Sequence, residues 1–238
     1  VVNEQFDLLM PFSEEIFPQR IRSFIRRQGR VTQGQQLALD NYWDRYCLDS
    51  KADYDFARVF GRDAPLYVEI GFGNGDSLTK MAVANPDKNY IGIEVHKPGV
   101  GHLMLQLEQQ GLNNVRIYCH DALEIFEQKI IDNSLSGVYL FFPDPWPKKR
   151  HHKRRIVRPG FVELVVRKLK SGDYFHAATD WQNYAENMLA VLSAGAGMGN
   201  ISNTGDYCER PAYRPLTKFE QRGLRLGHGV WDLIFKKE

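Results

Sequence analysis

Short apolar runs alternate with stretches of helical spacing along most of the chain beyond residue 65. LYVEIGF (66–72) is β-branched and apolar, ends in GFGNG, and is followed by the amphipathic SLTKMAVANP. YIGIE (90–94) precedes PGVGHLMLQLEQQGL (98–112), and VRIYC (115–119) precedes HDALEIF. LSGVYLFF (135–142) breaks into PDPWP before FVELVVRKLK (161–170), which Gly172 closes; YFHAATD (174–180) leads into WQNYAENMLAVL (181–192). Period-2 or continuous apolar runs predict strands, and the 3.6-residue spacing predicts helices. Five strands alternating with helices predict an α/β, doubly wound, mostly parallel sheet of Rossmann-like order, with right-handed crossovers and helices on both faces.

The flanks read differently. Residues 1–30 have weak periodicity and end in RIRSFIRRQGR, where arginines alternate with Ile21, Phe24 and Ile25. That pattern is expected of a basic arm lying on the body, or of a solvated tail. Thr32 is a plausible N-cap for a helix through about Tyr46, and Phe56, Val59 and Phe60 mark a short helical turn. At the other end, 195–206 is Gly/Ser/Asn-rich and predicts a loop or a weak edge strand. Residues 209–227 are punctuated by prolines and charges, and VWDLIFK (230–236) predicts a last strand. We divide the chain into an N-terminal extension, 1–60, and one domain, 61–238.

With 238 residues and 43% hydrophobic content the chain can bury one sizeable core. The formal charge of +2 does not by itself call for a nucleic-acid partner. Its distribution does more, because the basic residues gather at Arg20–Arg30 and Lys148–Arg158, and local patches make binding potentials. Cys47, Cys119 and Cys208 are widely spaced and read as reduced thiols, not as a zinc site or a disulfide frame. No secretory signal or membrane-length apolar segment is recognised, so a soluble, cytoplasmic protein is expected, with no membrane contact and no obligate protein partner indicated.

Four strand ends carry acids. In EIGFGNG, Glu69 lies inside the strand, and Gly71, Gly73 and Gly75 let a ligand approach the backbone closely. The spacing is GxGxG, not the GxGxxG of dinucleotide folds. A carboxylate before it suits a cofactor carrying positive charge, such as the sulfonium and amino groups of S-adenosylmethionine. Glu94 ends the second strand, where an acid accepts from ribose hydroxyls. Asp121, after the third, can accept from an adenine amine, cap the next helix, or do both. Asp144, held between two prolines, and Asp180 in ATDW end the fourth and fifth strands and so face the ligand crevice; the alternatives are a self-bonded turn and an N-cap. Lys148, Lys149, Arg150, His151, His152, Lys153, Arg154 and Arg155 then form a cationic loop, read as a phosphate grip. The Thr217–Glu220 cluster, taken alone, reads as a surface loop.

EIGFGNG, IGIEVHKPGV, FFPDPWPKKRHHKRR, ATDW and TKFEQRG, in this order and spacing, closely resemble the bacterial tRNA (guanine-N7-)-methyltransferase family. The resemblance implies methyl transfer from S-adenosylmethionine to N7 of a guanine in the tRNA variable loop, at position 46. It implies that Glu69, Glu94, Asp121 and Asp144 contact the cofactor, with Asp144 also the catalytic residue. It further implies that Lys148, Asp180, Thr217, Lys218, Phe219 and Glu220 contact the guanosine, and that Arg150, His151, His152, Lys153, Arg154 and Arg155 touch the RNA. A nucleotide-dependent oxidoreductase and a non-catalytic RNA-binding relative are the competing classes. GxGxG with an acid before it argues against the first, and intact Glu69, Glu94 and Asp144 against the second.

Overall fold

The computed structural model describes residues 22–24, 29–225, 227 and 229–238; the side chains at 218, 219, 222 and 224 lie outside the described set. Much of the basic arm, including Arg20, Arg26 and Arg27, therefore lies outside the described residues. The elements run α1 (Gln33–Tyr46), α2 (Phe56–Phe60), β1 (Leu66–Ile70), α3 (Asp76–Ala84), β2 (Asn89–Ile93), α4 (Lys97–Gln110), β3 (Val115–Tyr118), α5 (Ala122–Gln128) and β4 (Leu135–Phe141). A 3-10 helix (Lys149–Arg154) follows, then α6 (Pro159–Lys168), β5 (Leu169–Thr179), α7 (Gln182–Ser193), β6 (Met198–Asn200), α8 (Lys218–Arg225) and β7 (Trp231–Lys237).

The strands form one sheet in the order β3-β2-β1-β4-β5-β7-β6. The first five are parallel, and β7 runs antiparallel to both β5 and β6. From β1 the chain winds outward through β2 and β3, then returns to place β4 on the other side of β1. That reversal leaves a crevice beyond the carboxyl ends of β1 and β4, where open α/β sheets bind ligands.

Alternation along the strands divides the core. Val68, Ile91, Val138 and Phe175 point to the face covered by α5, α6 and α7. Tyr67, Tyr90 and Tyr139 point to the face of α3 and α4, with Tyr67 stacked 5.7 Å from each of the other two rings. Each fully buried side chain of this size is worth about 2–3 kcal/mol. Glu69 falls on the same face as Tyr67 and is buried at the end of this aromatic row.

Helix α1 is stapled at its start by a capping box, in which Thr32 Oγ1 accepts from the Gln35 amide and Gln35 Oε1 from the Thr32 amide. It packs on α4, where a Cβ at Gly101 would lie 2.8 Å from the Gln35 carbonyl oxygen. The Leu48 amide then donates to the Ile117 carbonyl, so the segment after α1 flanks β3.

Two boundaries differ from the sequence reading. Helix α6 ends at Lys168 rather than near Gly172, because β5 already begins at Leu169. Its pairing with β4 jumps from Leu135–Leu169 to Gly137–Tyr174, and Gly172, at φ +84°, sits in the resulting bulge. The segment expected as a surface loop forms α8, with Thr217 and Glu220 exchanging backbone-to-side-chain bonds at its start. The 195–206 stretch supplies the three-residue edge strand β6.

Candidate active site

The loop after β1 is shaped by its glycines. Gly71, Gly73 and Gly75 have φ of +69°, +59° and +80°, a left-handed region that other residues enter only at a cost. Gly73 donates its amide to Glu94 Oε2 at 2.9 Å, while Glu94 Oε1 accepts from the amides of Val95 and His96. The loop thus rests on the carboxylate that ends β2, and Oε2 keeps acceptor capacity for a hydroxyl. Gly99 of α4 presses on the same loop: any Cβ there would collide with the Gly73 carbonyl oxygen.

Beyond β1 and β4 lie two cavities, of about 220 and 370 Å³, that share Gly71 and Phe142. The first is walled by Glu94, Val95, His120, Phe142 and Asp144, with Ser23 and Phe24 of the N-terminal region across from them. The second is walled by Glu69, Gly73, Ser77, Phe141 and Thr217. Glu69 is 2% exposed and its Oε2 is buried with no partner among the described residues. Burial, and secondarily the neighbouring Glu94, push its carboxyl up to about 8. An orphaned carboxyl this deep is costly unless a cation completes it. The donor set fits S-adenosylmethionine: an acid for its ammonium and sulfonium charge, a glycine cradle, and Glu94 for ribose hydroxyls. Asp121 caps α5 through Oδ1, which accepts from the Leu123 amide at 2.9 Å, beside the wall formed by His120 and Ala122.

The PDPW turn is held in an unfavourable shape. Phe142 and Trp146, with φ of +52° and +47°, bracket Pro143, Asp144 and Pro145. Such backbone costs about 1–3 kcal/mol per residue and persists only where the surroundings fix it. Here the Phe142 amide donates to the Ala178 carbonyl at 2.7 Å, and Trp146 Nε1 to the Ser23 carbonyl at 3.1 Å. The outcome is an exposed Asp144 on the cavity rim, with no hydrogen-bond partner among the described residues.

The cationic loop folds as the 3-10 helix, with Lys148 at its N-cap and Lys148, Lys149, Arg150 and Lys153 exposed. Arg154 lies over the Trp146 ring at 5.0 Å and His151 meets the same ring edge-on. Desolvation and then the surrounding Arg150 and Arg154 hold His151 below its ordinary pKa. Arg155 does not belong to this surface. It is 3% exposed, its Nε donates to the Pro145 carbonyl at 2.9 Å, Nη2 donates to Asn183 at 2.8 Å, and the guanidinium lies over Tyr184. It ties the PDPW turn to α7.

Residues 63–233 match the model of a family described as putative methyltransferases. Over 220 residues the chain is 59% identical to a protein of Yersinia enterocolitica described as tRNA (guanine-N(7)-)-methyltransferase, covering 92% of each. The chain belongs to the tRNA (guanine-N7-)-methyltransferase family. Members so described from Salmonella typhimurium (56% identical, covering 97% of this chain and 98% of the relative) and Alcanivorax borkumensis (57%, 92% of each) agree. The 16S rRNA methyltransferase KamB shares the fold, with a TM-score of 0.57 at 15% identity over 77% of this chain and 93% of that one.

In this tRNA (guanine-N7-)-methyltransferase family member, Asp180 is exposed after β5 and lines a separate groove with Trp181 and Trp231. Among the described residues no side chain caps α7, and Thr179 Oγ1 accepts the Trp181 amide. Thr217 reaches the crevice wall. Lys218 and Phe219 begin α8, and their side chains lie outside the described residues. Glu220 is 3% exposed and both its oxygens accept from Arg214, each at 2.7 Å. Sequence reasoning passed over Gly99 and Arg214. For Gly99 the GVG repeat within a helix was a usable signal, since glycine there is unfavourable without a packing reason.

Proposed function

We propose that this protein transfers the methyl group of S-adenosylmethionine to N7 of a guanine in tRNA, at position 46 of the variable loop. The observation that carries the reading is the meeting, at the sheet's switch point, of a buried Glu69 whose Oε2 has no partner among the described residues, the strained Asp144 turn and a cationic 3-10 helix. When bound, S-adenosylmethionine supplies a methyl group activated on a sulfonium.

Guanine N7 carries a lone pair and no proton, so no general base is required to expose it. The protein's contribution is alignment, which can be worth several orders of magnitude in rate. Glu69 and Glu94 hold the cofactor's charged and ribose ends, and Asp144 sits at the rim where the two reactants meet. As positive charge moves onto the purine, fixed carboxylates nearby favour it. Lys148 and Thr217 border the base, Asp180 accepts from its N1–H and amino edge, and Lys149, Arg150, Lys153 and Arg154 bind phosphates. Nucleoside analysis of unmodified tRNA, incubated with the protein and labelled S-adenosylmethionine, tests this. Label in 7-methylguanosine from the variable loop is expected; no label, or label in another nucleoside, overturns it.

A further inference from the structure

We propose that Arg214 is the positioning residue of the guanosine pocket: one buried guanidinium fastens the Thr217–Glu220 turn to the body. The proposal rests on the methyltransferase reading above and adds how its substrate side is held.

Arg214 is 0% exposed and is the largest fully buried side chain among the described residues. Its Nη1 and Nη2 donate to the two oxygens of Glu220, both at 2.7 Å. Nε and Nη2 donate to the two oxygens of Asp232 in β7, at 2.6 and 2.9 Å. Asp232 Oδ1 also bonds His176 Nε2 at 2.7 Å, and His176 Nδ1 bonds the Tyr213 hydroxyl at 3.0 Å. The guanidinium lies 5.9 Å from the ring centre of Phe141 and 5.6 Å from that of Phe142, the residues that open the PDPW turn. A single planar fork thus touches α8, the antiparallel strand β7 and the end of β4.

Burying such ions costs several kcal/mol each, and apolar side chains of equal volume commonly serve stability as well or better. What the ions supply is direction, because only a guanidinium satisfies two carboxylates in a fixed plane. The direction matters at Thr217, which caps Glu220's turn and lines the crevice beside Glu69 and Gly73. Both of Glu220's oxygens are committed to Arg214, so Glu220 braces the turn from behind.

Arg214→Lys keeps the charge and loses the fork. The measurements are kcat and KM for tRNA, S-adenosylmethionine affinity, and melting temperature, in Arg214→Lys, Glu220→Gln and the double variant. We expect kcat/KM for tRNA to fall on the order of 100-fold in Arg214→Lys, as misplacement of about an ångström does, with cofactor affinity within about 2-fold of wild type. The double variant is expected to be no worse than the more damaged single variant, since both break one unit. Wild-type kcat/KM in Arg214→Lys, a parallel loss of cofactor affinity, or additive losses in the double variant overturns the proposal. If Arg214→Lys does not fold, Glu220→Gln, which leaves Arg214 on Asp232, is read alone: a fall in kcat/KM for tRNA with cofactor affinity retained supports the proposal, and wild-type kcat/KM overturns it. Absence of 7-methylguanosine with the wild-type protein would instead defeat the methyltransferase reading.

Discussion

On the proposed reading, in which Glu69 holds the cofactor, binding is a proton-linked event. Its carboxyl is raised from 4.5 to about 8 by burial and by Glu94, so at neutral pH the free protein holds it mostly protonated. A cationic cofactor requires the ionised form. With a pKa of about 8, roughly 1% of the group is ionised at pH 6 and about 10% at pH 7, so affinity should rise about tenfold over that unit. It should level off near pH 8, where a cofactor α-amino group itself begins to lose its proton. Calorimetry at pH 7 in two buffers of different ionisation enthalpy should find a net release of most of a proton per cofactor bound. Glu69→Gln should bind more weakly and show neither the slope nor the release. The same shift has a stability consequence of opposite direction. Between pH 4.5 and 8 the folded state keeps a proton that the unfolded state has lost, so stability falls as pH rises through that window. At pH 7 the penalty is about 3 kcal/mol, and it should vanish in the ligand-free Glu69→Gln variant. A cofactor affinity that is flat from pH 6 to 7, with no proton released, would refute this account of Glu69.

Asp144→Ala should abolish methyl transfer while leaving tRNA affinity within about 2-fold in a filter-binding assay, since the carboxylate lies on the cavity rim and not among the phosphate contacts. Alanine at Lys149, Arg150, Lys153 and Arg154 together should weaken tRNA binding and flatten its log–log salt slope by about 3, at roughly 0.7–0.9 per phosphate contact. Arg155→Ala alone should leave that slope unchanged and lower the melting temperature, because its guanidinium is spent on Pro145 and Asn183. Gly99→Ala drives a methyl group into the Gly73 carbonyl; cofactor affinity by calorimetry should drop on the order of tenfold with tRNA binding retained.

Much of the fold and the backbone frame of the candidate site could be read without coordinates. Strand and helix periods are near-neighbour properties, so the parallel sheet from Leu66 to Thr179 follows from patterns that span a few residues each. Acids at strand ends and glycines at alternate positions belong to the same class. The positive φ values at Gly71, Gly73 and Gly75 are what that spacing anticipates. The order of strands, β7 antiparallel beside β5, needed the tertiary structure, because pairing partners far apart in the chain leave no local mark.

The same limit applies to the surroundings of the charges. In sequence, Arg155 is one more cation in a run of eight basic residues, and Glu220 one polar residue in a polar stretch. What turns Arg155 inward is Asn183, 28 residues later, and what buries Glu220 is Arg214 held by Asp232, 18 residues beyond that arginine. The chain by itself determined the sheet, the glycine loop and which residues end its strands, since those depend on backbone preference and periodicity. Which charges face the ligand and which brace the site was decided only on folding. A charged side chain is satisfied by water or by a buried partner, and only three-dimensional proximity selects between them.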